Sequence, residues 1–262
     1  MKNLLIILLL LLAACSKPVV IDPVEKPELL TCKLDVESIS AAKGGIPGAP
    51  KDKGPKPQPT PTPDPVPTPT PVPPTTGTGY ACILVDFDGQ DVPEGIWGAA
   101  LSCLPSGLTN EQITQVLNEV TALYAPYNVF ITYDENVYNA ANPYKRTRVI
   151  VTPTSSWYPA GVSGVGYLGS FTWGDDTPVF VFSDRLYFLP HMIAEIVAHE
   201  AGHTFGLRHQ TEYDGNCNLV SRYKNGAVMG NSLNSIQGQW IYGTTYACDA
   251  YQDDAAVIRS VL

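Results

Sequence analysis

Apolar positions along the chain fall into three regimes. Residues 4–14 form an unbroken apolar run of eleven, just behind the basic Lys2. A membrane-spanning helix needs about 20 such residues, so the run predicts a signal-peptide core. Residues 47–74 hold 13 of the chain's 24 prolines, alternating with Thr, Val, Lys and Asp. Proline fixes φ and has no amide donor. That stretch therefore predicts a polyproline II spacer, reaching about 85 Å at about 3.1 Å per residue. Periodic patterns begin near residue 78. Residues 80–87 (YACILVDF) are rich in β-formers and predict a strand. Ile113, Val116, Leu117, Val120 and Leu123 share one helical face. Thr109 and Gln112 form a capping box before that helix, and Pro126 stops it. Residues 128–133 alternate as a strand through Val129, Ile131 and Tyr133, and residues 148–152 and 179–182 are two more short strands. The glycine-rich stretch 161–169 leads into an edge-strand candidate at 167–171. Met192, Ile193, Ile196 and Val197 make residues 190–207 an amphipathic helix. Residues 16–43 show no period and carry no predicted element. Helices alternate with strands, so the fold class is α/β or α+β with a mixed sheet. The expected organisation is a signal peptide (1–14), a tail (15–46), a linker (47–77) and a folded domain (78–262).

Composition narrows the partners. The 262 residues carry 16 Lys and Arg against 25 Asp and Glu, a formal charge of −9. Nucleic-acid binding wants clustered positive charge, so no nucleic-acid partner is expected. A monomer is expected.

Chemistry concentrates in one string, His199-Glu200-Ala201-Gly202-His203-Thr204-Phe205-Gly206-Leu207-Arg208-His209. Residues four apart lie on one helical face, so His199 and His203 aim at one point. Glu200 sits one step around, within reach of a water held there. Gly206 tolerates positive φ, ends the helix and turns the chain. His209 then returns to the same point. His191, eight residues before His199, lies about 80° off the ligand face and is not expected to ligate.

This string resembles the metzincin signature HExxHxxGxxH of zinc proteases. Ala227-Val228-Met229-Gly230, twenty residues after His209, resembles the Met-turn that supports the zinc ligands in that clan. The segment 252–258 (QDDAAVI) is similar to a closing segment of some secreted bacterial metzincins. Gln210 stands where the adamalysin group has Asp. Asn231 stands two residues after Met229, so the extra tyrosine ligand of astacins and serralysins has no counterpart there. The clan is thus indicated and the family within it is not.

The resemblance implies a mixed twisted sheet with an active-site helix and a small C-terminal subdomain after the zinc motif. It implies one catalytic Zn²⁺ held by His199, His203 and His209, with Gly206 and Met229 supporting the site. Glu200 would be the general base of peptide hydrolysis. A protein or peptide substrate would bind in extended form along residues 166–171. The rival reading is a catalytically silent lipoprotein of the same fold that binds protein or glycan. Calcium binding by Asp175, Asp176, Asp214 and Asn216 is a further possibility, although no EF-hand spacing is present.

The end of the apolar run, Leu12-Ala13-Ala14-Cys15, resembles the bacterial lipobox. It implies acylation of Cys15 and a membrane partner through the lipid. The location would be the bacterial cell envelope, at the outer membrane or cell surface. Disulfides fit such an exported chain. Among Cys82, Cys103, Cys217 and Cys248, the most local of three connectivities pairs Cys82 with Cys103 and Cys217 with Cys248. Spacing does not choose among them. Cys32 is left over as an unpaired tail cysteine.

Overall fold

The structure, a computed structural model, describes residues 28–33, 79–233, 235 and 237–262. The signal segment, Cys15 and the proline spacer lie outside the described residues. In chain order the elements are β1 (Leu29–Lys33), β2 (Ala81–Asp86), β3 (Gln90–Val92), β4 (Leu101–Cys103), α1 (Asn110–Tyr124), β5 (Val129–Thr132), α2 (Glu135–Ala140) and β6 (Arg146–Thr152). They continue with β7 (Val162–Tyr167), β8 (Val179–Phe182), α3 (Pro190–Thr204), β9 (Glu212–Tyr213), β10 (Leu219–Ser221), β11 (Tyr242–Thr244), β12 (Tyr251–Asp253) and α4 (Asp254–Val261). Among the described residues no helix is long and apolar enough to cross a membrane.

Six strands form one mixed, twisted sheet in the order β1-β7-β8-β6-β2-β5. β8, β6, β2 and β5 run parallel. β7 is antiparallel to β8, and β1 is antiparallel to β7. The central strands are buried on both faces, which is why they read as continuous apolar runs. Ile83, Val85, Val149, Val151, Val179 and Val181 share a core with α1 and α3. Their alternates Ile150, Phe180 and Phe182 face a second cluster, and Cys82 and Leu84 a third.

The capping box before α1 forms as expected. Thr109 N donates to Gln112 Oε1 (2.9 Å), and Gln112 N to Thr109 Oγ1 (3.3 Å). Pro190 occupies the first turn of α3, where its missing N–H costs nothing. Ile193 through Thr204 are all buried. α3 is therefore sheathed all round instead of presenting one polar face to water. The sheet covers one side, and Val228, Met229 and Trp240 pack on the same helix from beyond the motif.

Two expectations shift. The strand near the glycine-rich stretch is Val162–Tyr167, so of residues 166–171 only Gly166 and Tyr167 are extended. Gly169, at φ 78°, turns the chain into a short 3-10 segment, Ser170–Thr172. The second shift is β1, which the patternless tail did not predict. An outer strand can be held by main-chain pairing alone, so it needs no alternating side chains.

Candidate metal centre

α3 ends in a Schellman turn. Gly206 N donates to His203 O (2.9 Å), and Leu207 N to Gly202 O (3.2 Å). Gly206 sits at φ 101°, a conformation open to glycine. That turn swings the chain back, so His209 meets the two helical histidines. Ring centroids are 4.7 Å apart for His199 and His203, 4.8 Å for His203 and His209, and 5.1 Å for His199 and His209.

Hydrogen bonds set the tautomers. A carbonyl oxygen only accepts, so His199 Nδ1 donates to Val228 O (2.6 Å) and His203 Nδ1 to Leu207 O (2.7 Å). Each Nε2 is left with its lone pair. Among the described residues His199 Nε2 has no hydrogen-bond partner. His203 Nε2 lies 3.2 Å from His209 Nε2, and the three ligating nitrogens fall within 4.8 Å of one another. Tetrahedral zinc with Zn–N bonds of about 2.0–2.1 Å places two nitrogens about 3.3 Å apart. The three side chains can therefore hold a metal ion and are compatible with zinc. Burial pushes the His199 imidazole down to about 3, with His209 adding to the effect. Burial likewise takes His209 down to about 4 and holds His203 well below its ordinary value. The imidazoles are kept neutral, the form that ligates.

The floor is built by close approach. A Cβ on Gly202 would stand 2.5 Å from Met229 Sδ, so glycine there lets the fully buried Met229 press against the helix. Val228 carries the carbonyl that orients His199, and Gln210 N donates to Met229 O (2.7 Å). Above the helix, a Cβ on Gly164 would meet Glu200 Oε1 at 2.5 Å. β7 thus passes directly over Glu200, which is fully buried.

Residues outside the motif brace His209. Arg208 N donates to Gln252 Oε1 (2.9 Å), and Gln252 Nε2 to Arg208 O (3.0 Å). Asp254 accepts from Gln210 Nε2 (2.7 Å), Gln252 Nε2 (2.8 Å) and Ile241 N (3.0 Å). Burial raises the Asp254 carboxyl, and these three donors work against that rise. Sequence reasoning gave these residues no role beyond a family likeness. Their signal is a double acid before a helix: Asp253 caps α4 through Ala256 N (3.0 Å), while Asp254 turns inward. Tyr223 was also missed. Its ring stands edge-on to His209 at 5.1 Å, and no local pattern announces it.

His191 is elsewhere, bonded to Glu119 Oε2 (2.7 Å) and Ser235 O (2.9 Å). The acidic residues considered for calcium are not brought together. Asp176 binds Arg148 and Tyr138, Asp175 accepts from Thr177 N, and Asp214 accepts from Asn216 N and Asn218 N. Among the described residues the three histidines are the one group of three His, Cys, Asp or Glu side chains able to share a metal.

Cys217 and Cys248 form a disulfide with Cα atoms 5.5 Å apart. Cys82 and Cys103 are not paired, contrary to the local connectivity. Cys82 packs with Leu84 and Tyr138, whereas Cys103 packs with Val92, Ile150 and Phe180. Burial pushes their thiols up to about 12 and about 11, and they serve as small apolar side chains.

No protein-family model matches this chain, and no curated protein matches it.

Proposed function

We propose that this protein is a zinc metalloendopeptidase of the metzincin kind, carried on a proline spacer and anchored in a bacterial envelope through acylated Cys15. The observation that carries the reading is the convergence of three neutral imidazoles, with Glu200 next in the chain after His199 and its carboxylate beneath a strand whose glycines clear the space above it. His199, His203 and His209 would hold the ion. Zinc supplies Lewis acidity and a water of lowered pKa. Glu200 would take a proton from the attacking water and return one to the leaving amine nitrogen. The backbone of β7 would align an extended peptide by strand addition. Met229 and the Gln252–Asp254 brace would keep the ligands in place.

The test is turnover of a quenched mixed-peptide library by wild type and Glu200→Ala, with bound zinc counted in both. One zinc in each protein is expected, with a loss of turnover on the order of 10²–10⁴ in the variant. Zinc in both with cleavage in neither, at peptide concentrations into the millimolar range, would leave a binding module and overturn the reading.

A further inference from the structure

The outer side of β7, where strand addition would place a peptide, is taken by the chain itself. β1 pairs antiparallel with β7, setting Leu29 opposite Tyr167, Leu30 opposite Gly166, Thr31 opposite Val165 and Cys32 opposite Gly164. Just upstream, Glu28 O accepts from Leu168 N (2.9 Å). The Glu28 carboxylate meets Arg208 in a two-pronged pair, Nη1 to Oε1 and Nη2 to Oε2, both 2.5 Å. Arg208 immediately precedes the candidate ligand His209, and its guanidinium lies 5.5 Å from the centre of the Tyr246 ring. Side chains two apart on a strand share a face. Accordingly Glu28 and Leu30 line one hollow together with Arg208, His209, Tyr223 and Tyr246. Gly166, opposite Leu30, faces Glu200: a Cβ there would lie 3.4 Å from Glu200 Oε2.

We propose that residues 28–33 are a tethered ligand of the β7 groove, and that the groove accepts extended peptides bearing an acidic residue followed, two positions on, by an apolar one. This deepens the peptidase reading by naming the sequence class that the same site takes, and it rests on that reading for the outcome of binding. A strand edge pairs with one partner at a time, chiefly through main-chain bonds. Any external peptide must displace β1. Residues 34–80 join β1 to β2, 47 residues in all. The tether makes β1 an intramolecular competitor for any external peptide, with an effective concentration set by linker length and stiffness. The main-chain pairing is indifferent to sequence, so selectivity falls to Arg208, matched to a carboxylate by its forked geometry, and to the apolar wall beside it.

The experiment uses the full-length chain in detergent. The probe is a fluorescent copy of residues 28–33 with serine in place of Cys32, checked by mass spectrometry to remain intact. Leu30→Asp and, separately, Glu28→Lys should vacate the edge. Each should raise probe affinity by about tenfold or more over wild type and speed hydrogen exchange at the amides of residues 164–168. Unchanged affinity and exchange in both variants would overturn the tethered ligand. A probe with lysine at its acidic position should bind the Leu30→Asp protein about tenfold more weakly, and adding Arg208→Glu should restore it. Equal binding of the two probes would overturn the acidic preference. Peptidase turnover in the same proteins is read separately. Binding changes without turnover in any protein would sink the peptidase reading alone; turnover that is equal throughout, with no binding change, would sink the tethered ligand alone.

Discussion

Two polar clusters, one around the buried Arg148 and one of histidines, lie on opposite faces of the sheet, and they are built on opposite rules. Arg148 on β6 points away from α3. It bonds Asp86 (3.1 Å), both oxygens of Glu135 (3.0 and 2.7 Å) and Asp176 (3.2 Å), and Asp176 in turn accepts from the Tyr138 hydroxyl (2.5 Å). The guanidinium there has carboxylates beside it, so charge is balanced within the cluster, although Arg148 Nε and Asp86 Oδ1 have no hydrogen-bond partner among the described residues. The histidine cluster does the reverse. His199 and His203 spend their one N–H on a backbone carbonyl and turn a lone pair toward the other imidazoles. Two lone pairs are thus aimed at the space shared with His209, and an electron-pair acceptor is a partner that such a set fits. The Arg148 cluster balances its own charge, whereas the histidine cluster could hold a metal ion.

The sharpest way to break this contrast is Arg148→Met. Removing the cation leaves Asp86 buried without its partner, at a cost of about 3–5 kcal/mol in urea unfolding, while zinc stoichiometry stays as in wild type. Burial has already pushed the Asp86 carboxyl up to about 6. Arg148 holds that carboxyl below where burial alone would put it, so in Arg148→Met it should protonate above pH 6, and the cost should shrink as pH falls toward 6. Lost zinc with intact stability would invert the assignment of the two clusters.

Next in size is the floor of the histidine site. Met229→Ala should destabilise by about 2–5 kcal/mol and weaken zinc binding, because Met229 packs on Gly202 and its neighbour Val228 orients His199. Met229→Leu should cost less than about 1.5 kcal/mol. If both behave alike in calorimetry and zinc titration, the floor is filler rather than support.

Asp254→Ala should follow, at about 1–3 kcal/mol for the donors left unpaired. Zinc affinity should fall by about 10- to 100-fold through the loosened His209 loop. A stability loss with unchanged affinity would detach the brace from the site.

The smallest effect is a pH response that should be nearly absent. With His199 and His209 held down to about 3 and 4, protons do not compete at pH 5.5. Zinc affinity should change by less than about tenfold between pH 7.5 and 5.5. Three imidazoles titrating near 6.5 would instead lose on the order of 10³-fold. The same lowered values mean that the metal-free fold loses stability as pH falls from about 6.5 toward 3, since the unfolded chain binds protons first.

Much of this was legible locally. Thr109 and Gln112 announced α1 because a capping box is closed within three residues. The paired apolar runs announced the central strands because both sheet faces are covered. His199, Glu200 and His203 could be placed on one helix by periodicity, and Gly206 by the turn it must make. Other features left no local trace. β1 is held by backbone pairing and one ion pair from Glu28 to Arg208, 180 residues away. Cys82 and Cys103 are near in sequence but pack in different clusters, Cys82 on β2 with Leu84 and Tyr138, Cys103 on β4 with Val92 and Ile150. The edge strand was expected at 167–171, after the glycine-rich stretch, whereas Gly164 and Gly166 lie within the strand at Val162–Tyr167 and clear room for Glu200.

The sequence by itself determined α1, α3, the strands β2, β5, β6 and β8 and the histidine string, because helix periodicity, capping and strand patterning act over a few residues. Only the tertiary structure decided that His209 meets the other two imidazoles, that Gln252 and Asp254 brace it, that Glu200 lies beneath Gly164, and that residues 28–33 lie along β7. Each of those depends on burial and hydrogen bonding between segments far apart in the chain, whose geometry exists only once the sheet and α3 have packed.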